Sequence, residues 1–410
     1  MKKMELLAPA GSLQKAKIAF MYGADAVYAG TSKLSLRSRA EMDSDDLEDT
    51  IKYAHSIGKK VYVAMNIYAY DKDYIEIKEE IIRLDKIHAD AIIASDPGII
   101  DCIKEIAPNM EIHISTQANI TSLQTAEFWH KYGAKRVILA RELSREKIEY
   151  IMKNKPKDLE VEMFIHGAIC YAYSGRCYLS QYLSDRGANC GDCSQPCRWQ
   201  YKLTAEEVNK PGSIINIDYD EKGTYIFSSK DLCLLKQIPV LANMEIDSLK
   251  IEGRLKTDYY LATVVRTYRK AIDDYYNDPE KWDYENYLPE LEKVKTRGLS
   301  EFYFTNSNNQ DIHDYDGFSE NLKYEYGARV LEKLEDDLYH VEIRNKLSEG
   351  DLLDVMIPGD IKTHEFNIEE LYDTKTKERV TYVNPGVKGQ SVIIKVPYNM
   401  EKDYVIRRKK

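Results

Sequence analysis

The chain is predicted to be α/β: a (β/α)8 barrel carrying a cysteine-rich insertion, followed by a small all-β barrel domain. Three observations carry this prediction. Short apolar runs alternate with helix-like segments through the first 165 residues. Several of those runs are preceded by near-copies of one short sequence. Beyond Tyr326 the pattern changes to short strands separated by turn residues.

The predicted strands, in order, are Glu5 to Ala8, Ala26 to Ala29, Lys60 to Met65, Ala91 to Ala94, Glu111 to Ser115, Arg136 to Ala140 and Glu160 to Ile165. The recurring segments are Gly23-Ala24-Asp25-Ala26-Val27, His88-Ala89-Asp90-Ala91-Ile92 and Gly133-Ala134-Lys135-Arg136-Val137, with a looser copy at Glu245-Ile246-Asp247-Ser248-Leu249. Each places a helix end just before a strand, and a βα unit repeated every 20–35 residues or so marks a parallel sheet. Leu249-Lys250-Ile251 supplies an eighth strand, which closes the count for a TIM-like barrel over residues 1–275. A doubly wound open sheet is the competing architecture, and the lack of a Gly-rich dinucleotide turn weakens it. Residues 168–240 then form an insertion after the seventh strand, on the face where barrel enzymes place their active sites. From Thr257 to Tyr276 the spacing of Leu261, Val264, Val265, Tyr268 and Ile272 predicts an amphipathic helix. Residues 276–325 read as a connection. In 326–410 the predicted strands include 328–331, 338–343, 352–356 and 392–396, with turns at 345–350 and 358–360.

Composition excludes several classes. With 31% charged residues, a mean hydropathy of −0.51 and no apolar run near 18 residues, no membrane-spanning helix is expected. Met1-Lys2-Lys3 is followed by too few apolar residues before Pro9 for a secretory signal, so a cytoplasmic protein is expected. The net charge of −10 argues against broad adhesion to nucleic acid but leaves room for a local basic patch. The seven cysteines are not a disulfide framework in that compartment.

Five of them, Cys170, Cys177, Cys190, Cys193 and Cys197, fall in one short stretch, Cys233 follows, and Cys102 reads as an ordinary core residue. Thiolates suit an iron–sulfur cluster or structural zinc, and both usually take four ligands. Two come from Cys170 and Cys177; Cys190, Cys193, Cys197 and Cys233 compete for the rest. The chain has no G-x-x-x-x-G-K-[ST], H-E-x-x-H, G-x-S-x-G or G-x-G-x-x-G. Polar residues ending apolar strand runs on the barrel face are Asn66, Gln117, Arg141, Glu142, His166, Glu252 and Arg254. Arginine can hold a carboxylate with two parallel hydrogen bonds, so Arg141 and Arg254 are candidate anion ligands. Each could instead pair with its neighbour, Glu142 or Glu252.

The run Glu162-x-Phe164-x2-Gly167-Ala168-Ile169-Cys170-x4-Gly175-x-Cys177-x-Leu179-Ser180 resembles the signature of the collagenase-like peptidase U32 family. So do Leu6-Leu7-Ala8-Pro9-Ala10-Gly11, Cys193-x3-Cys197-Arg198-Trp199, 228–233 and Lys250-Ile251-Glu252-Gly253-Arg254. The resemblance covers about residues 4–300 and, more weakly, the β domain. Some family members are described as collagen-degrading peptidases. Others support oxygen-independent hydroxylation of tRNA wobble uridine, of a ribosomal RNA cytidine or of ubiquinone precursors. The latter imply a [4Fe–4S] cluster and prephenate as co-substrate. The long form with the β domain and the run 186–191 look most like the branch forming 5-hydroxyuridine in tRNA. That resemblance maps the cluster onto Cys170, Cys177, Cys193 and Cys233, with Cys197 as the substitute. Of the polar residues on the barrel face, His166 and Glu252 are the candidate catalytic residues and Asn66, Gln117, Arg141 and Arg254 the candidate substrate contacts, joined by Arg37 from a block that resembles the family's basic segment after the second strand. Around Arg37 and Arg39 the chain departs from the family, with Met42-Asp43 where Asn-Phe is common. Implied partners are tRNA, prephenate and a protein that delivers electrons. Proteolysis is the alternative, with Cys170 and His166 on one strand. An RNA-binding scaffold is a third class, and the β domain with its Arg407 to Lys410 end is an expected RNA contact.

Overall fold

The computed structural model describes residues 3–31, 34, 35, 42–202, 204–206, 209, 212, 214–216, 227–305, 312–314, 322–335, 337–386 and 389–410. Arg37 and Arg39 lie outside the described residues.

The first seven strands are β1 (Glu5–Pro9), β2 (Ala26–Gly30), β3 (Lys60–Ala64), β4 (Ala91–Ala94), β5 (Glu111–Ile114), β6 (Arg136–Ile138) and β7 (Glu160–Ala168). In the insertion come a hairpin of β8 (Thr204–Glu206) with β9 (Ile214–Asn216), then β10 (Asp231–Cys233), and β11 (Ser248–Ile251) follows. β1 to β7 and β11 pair in parallel around a closed ring, β11 against both β7 and β1. The barrel is closed as predicted.

Helices α1 (Leu13–Met21), α2 (Ser44–Ser56), α3 (Tyr74–Lys86), α4 (Pro97–Ile106), α5 (Leu123–Lys131) and α6 (Arg145–Asn154) follow the first six strands, α7 (Leu179–Ser184) lies in the insertion, and α8 (Ile238–Asn243) and α9 (Asp258–Asn277) flank β11. Side-chain oxygens of Ser12, Asp43, Asp96, Ser122 and Thr257 accept from backbone N–H groups of the first turn, which is why these helices begin where they do.

The repeated Ala-Asp segments have a common physical role. Asp25 accepts the backbone N–H of Leu6 at 2.9 Å, Asp90 that of Val61 at 2.7 Å and Asp247 that of Val161 at 2.9 Å. In each case the carboxylate satisfies an N–H at the start of the adjacent strand, where the ladder has no acceptor to offer.

β7 is nine residues long and outruns the barrel. Its end pairs antiparallel with β10, Cys233 opposite His166 and Asp231 opposite Ala168. Gly167 has φ +105°, and a Cβ there would stand 2.5 Å from the Glu252 carbonyl oxygen, so only glycine lets β7 pass the end of β11. The connecting segment has more structure than expected: Leu288–Leu291 is a helical turn, and Leu299–Ser300 adds a strand to β10.

The C-terminal domain is an eight-stranded antiparallel sheet curled around its own core of Val330, Tyr339, Val341, Leu353, Val355 and Ile394 among others. It docks on the barrel through buried charge. Arg407 donates to Asp354 at 2.8 Å and to Glu290, which also receives Arg266. The Tyr22 hydroxyl donates to the Met356 carbonyl at 2.7 Å and accepts from Val405 N. The Arg407 to Lys410 end is therefore not a free basic tail. Val405–Lys409 is a strand, Arg407 is fully buried, Arg408 pairs with Asp351 and Glu325, and Lys409 lies 3.4 Å from Glu365. Arg407 and Arg408 are thus committed to carboxylates of the fold, while Lys409 and Lys410 stay exposed.

Burial raises the Glu290 carboxyl, but Arg266 and Arg407 outweigh it and hold the group down to about 2. This contribution to docking is complete above about pH 4.5 and is lost as pH falls toward 2. Removing one partner should be severe: Arg407→Met leaves Glu290 and Asp354 short of a cation and should destabilise the chain by about 3–5 kcal/mol in urea unfolding. A loss below about 1 kcal/mol would show that the network is dispensable.

Candidate functional site

The β-strand alternation brings Tyr28 from β2, Phe164 from β7 and Lys250 from β11 to the floor of a cavity of about 320 Å³ at the C-terminal mouth of the barrel. Asn66, Gln117, Arg141, Glu252 and Arg254 line its walls, each just beyond a barrel strand. The insertion supplies the roof, with Cys170, Cys177, Cys193 and Cys197 beside Tyr171 and Tyr178.

The insertion is tied down by specific bonds. Glu142 accepts from Ser174 N and Oγ at 2.5 and 2.6 Å. Arg176 donates to the Gln117 carbonyl at 2.7 Å, and Tyr68 N donates to the Asn189 carbonyl at 3.0 Å. Asn189 and Cys177 exchange two further bonds. Glu142 therefore serves the insertion, while Arg141 stacks over the Phe164 ring at 4.0 Å.

On the floor, Lys250 is 3% exposed, bonds to Glu162 at 2.7 Å and lies 4.3 Å from the Tyr28 ring centre. Burial lowers its pKa, against the pull of Glu162. The Tyr28 hydroxyl donates to Glu252 at 3.0 Å, and burial together with that carboxylate raises its pKa well above the usual range. Arg254 is buried, donates to Ser35 Oγ at 3.0 Å and lies 5.8 Å from the Tyr28 ring centre. Lys250, Glu252 and Arg254 share the inward face their alternation suggests. Gln117 is 1% exposed, and neither atom of its amide has a hydrogen-bond partner among the described residues. A buried amide in that state on a cavity wall is poised for a ligand.

Two expected residues lie elsewhere. His166 does not line the cavity. A β-bulge shifts the β7–β11 register, so that Lys250 pairs with Phe164 but Ile251 with His166. The extra residue turns the imidazole outward against α9, with Nδ1 3.4 Å from the Tyr268 hydroxyl. Burial lowers its pKa to about 4, so it is neutral there. Cys233 faces the same helix, its thiol 3.6 Å from the Tyr268 hydroxyl and its pKa raised by burial. In its place the structure brings Cys197 to the cavity. Burial raises the Cys197 thiol pKa, and the neighbouring Cys170 and Cys193 raise it further. Cys190 is exposed and Cys102 is buried on α4. Among the described residues, no three His, Cys, Asp or Glu side chains converge on a point suited to one metal ion. Cys170, Cys177, Cys193 and Cys197 all line the one cavity. Sequence reasoning passed over Tyr28 and Phe164, although their place in the strand alternation could have marked them.

The model for peptidase family U32 matches residues 11–314, and that for its C-terminal domain matches residues 323–407. The chain belongs to peptidase family U32. Within this family it is similar to tRNA hydroxylation protein P of Escherichia coli, at 37% identity over 99% of this chain and 96% of that one. It is also similar to tRNA hydroxylation protein P1 of Bacillus subtilis, at 38% identity over 92% and 89%. A collagenase of Porphyromonas gingivalis is 33% identical over 73% of each chain. The U32 signature thus supplies the end of β7, the roof cysteines and, through Lys250 to Arg254, one cavity wall.

The bonds from Ser174 to Glu142 make a local prediction. A hydrogen bond to a charged group contributes about 1.5–3 kcal/mol, so Glu142→Ala should raise opening-limited proteolysis or amide exchange within residues 170–200 by about 10- to 100-fold. Exchange in the barrel strands should stay unchanged; equal loss there would make Glu142 a residue of global stability.

Proposed function

We propose that this protein hydroxylates RNA, converting the wobble uridine of tRNA to 5-hydroxyuridine without oxygen, with a [4Fe–4S] cluster and with prephenate as co-substrate. The observation that carries the reading is one cavity ringed by four thiols on its roof and by two arginines, a lysine and an unpartnered amide below. Two relatives similar over nearly their whole length bear tRNA hydroxylation names, which supports the same reading. The donor set suits a cluster: thiolates are soft, and four cysteines line the same cavity. Cys170, Cys177, Cys193 and Cys197 would hold it. When bound, such a cluster supplies one-electron chemistry.

The rest falls to this chain's own side chains. Arg141 and Arg254 can each grip a carboxylate, and prephenate carries two. Lys250 adds positive charge at the floor. Gln117 offers a donor and an acceptor to a polar edge. Tyr28 donates its one hydroxyl proton to Glu252, so this pair offers acceptor oxygens to the cavity. Phe164, Ile93 and Ile138 keep water from the floor, which strengthens each charge contact. A cytoplasmic location and an electron-delivering protein partner fit this chemistry. Proteolysis needs an activated nucleophile or metal-bound water, and His166, its expected base, does not line the cavity of Cys170, Cys177, Cys193 and Cys197.

Nucleoside analysis of total tRNA with and without the gene tests the reading. Loss of 5-hydroxyuridine is expected; an unchanged tRNA profile together with gelatin cleavage by the purified protein would sink it. For the cluster, Cys197→Ser should remove the visible absorption of anaerobic protein while Cys233→Ser keeps it. The reverse pattern would restore Cys233 as the ligand. Arg254→Lys should keep that absorption but lose most prephenate-dependent hydroxylation, because an ammonium cannot make the two-point grip. Normal prephenate dependence in that variant would make Arg254 structural.

A further inference from the structure

The roof of the cavity carries aromatic side chains that the fold does not bury. Among the described residues, sixteen large apolar or aromatic side chains are exposed, and six of them fall within residues 168–203. Tyr178 and Tyr182 are each 74% exposed, Tyr171 and Tyr173 each 53%, Trp199 40% and, from the connecting segment, Tyr303 38%. They are not scattered. Tyr178 and Tyr171 line the cavity of the four thiols, and Tyr182 lies one helical turn beyond Tyr178, its N–H donating to the Tyr178 carbonyl at 3.0 Å. Tyr171, Tyr173 and Tyr303 line a second, adjoining cavity of about 360 Å³, which shares Arg141 and Cys170 with the first. The rings thus run from one cavity to the next across the thiols.

Charge on this stretch opposes that of the whole. Residues 168–203 hold Arg176, Arg186, Arg198 and Lys202 against Asp185 and Asp192, a net of +2 in a chain of net −10. Flat rings at the mouth of a cavity, in the chain's locally positive stretch, match unpaired nucleotides. Every base has a π-face to stack, and the phosphates between bases need nearby cations. A protein partner would also accept tyrosines, but the charge and the cavity between the rings favour a polyanion with a base to insert.

We propose that Tyr171, Tyr173, Tyr178, Tyr182, Trp199 and Tyr303 form a stacking platform for the unpaired bases of an RNA loop, which holds the nucleotides flanking the one that enters the cavity. The proposal rests on the RNA reading above and names the surface through which that substrate is held. Tyrosine rings, rather than groove-reading side chains, make the platform selective for single strands over duplex.

The test uses full-length protein prepared without oxygen, a fluorescent anticodon stem-loop hairpin and a blunt RNA duplex of the same stem, read by anisotropy. The double variant Tyr178→Leu/Tyr182→Leu keeps apolar bulk but removes the rings. Its hairpin affinity is expected to fall at least tenfold, within the range that stacking on one or two bases spans. Tyr178→Phe/Tyr182→Phe should bind within about twofold of the parent, and the weaker duplex binding should not change in either. Unchanged hairpin affinity in the leucine variant overturns the platform, as does an equal loss in the phenylalanine variant. A second measurement needs no variant: photocrosslinking of a hairpin with 5-iodouridine in its loop should label residues 171–182, 199 or 303 of the unaltered protein. Labels confined to the β domain overturn the proposal. Failure of the RNA reading looks different, because the unaltered protein would then not prefer the hairpin and tRNA from cells lacking the gene would keep its 5-hydroxyuridine.

Discussion

A single buried carboxylate, Glu162, organises the barrel. It is fully buried, bonds to Lys250 at 2.7 Å and receives Arg136 at 3.2 Å. Arg136 also reaches Glu5 and Glu160, each at 2.7 Å. These contacts join β1, β6, β7 and β11, the strands on either side of the closure. Burial raises the Glu5 carboxyl, but Arg136 and the hydroxyls of Tyr62 and Ser248 bring it below its usual range, so the charge stays in place. Charges this deep tolerate no slip. A one-residue change of register would turn each outward or leave its partner unpaired, at a cost of several kcal/mol. The network therefore specifies register more than it stabilises the fold. It also sets the level at which the cavity begins, because Lys250 is at once the top of the network and the floor of the site.

Above that floor the decisive feature is the bulge in β7. Without it, alternation from Phe164 would aim His166 into the cavity, and a cysteine–histidine pair beside the roof would be conceivable. The extra residue sends the imidazole to α9, where Tyr268 and Tyr260 enclose it. The strand then continues past the barrel rim, held by β10 on its free side, and delivers Cys170 over the mouth. One local irregularity thus separates a buried, neutral histidine from the thiol chemistry four residues later.

Much of this was legible in the residues. The barrel strands were, because each repeated segment announces a strand start, and the aspartates of three of them prove to hold backbone N–H groups of the preceding barrel strand. The cavity wall was legible wherever strict alternation holds, as at Lys250, Glu252 and Arg254. His166 was not, since a bulge depends on how two strands meet and leaves no mark on either alone. The thiol set was ambiguous for a similar reason: spacing cannot tell that Cys233 pairs opposite His166 while Cys197 turns back to the roof. At the basic C-terminal end the apolar neighbours Val405 and Ile406 mark a strand, and its arginines meet carboxylates that are distant in sequence.

That last point constrains how an acidic protein of this kind could meet RNA. Arg407 and Arg408, together with Arg266, Arg297 and Arg136, are committed to internal carboxylates. Exposed lysines such as Lys362, Lys375, Lys377 and Lys402 remain on the C-terminal domain, but the chain as a whole carries a net charge of −10. Long-range attraction is therefore weak and screened within about 8 Å at physiological salt. An RNA held by such a surface must gain its affinity at short range, from contacts that survive screening. Stacking is one such contact, and desolvated guanidiniums inside a cavity are another. Exposed rings and cavity-lining arginines both lie where the insertion covers the barrel, beyond the end of β7.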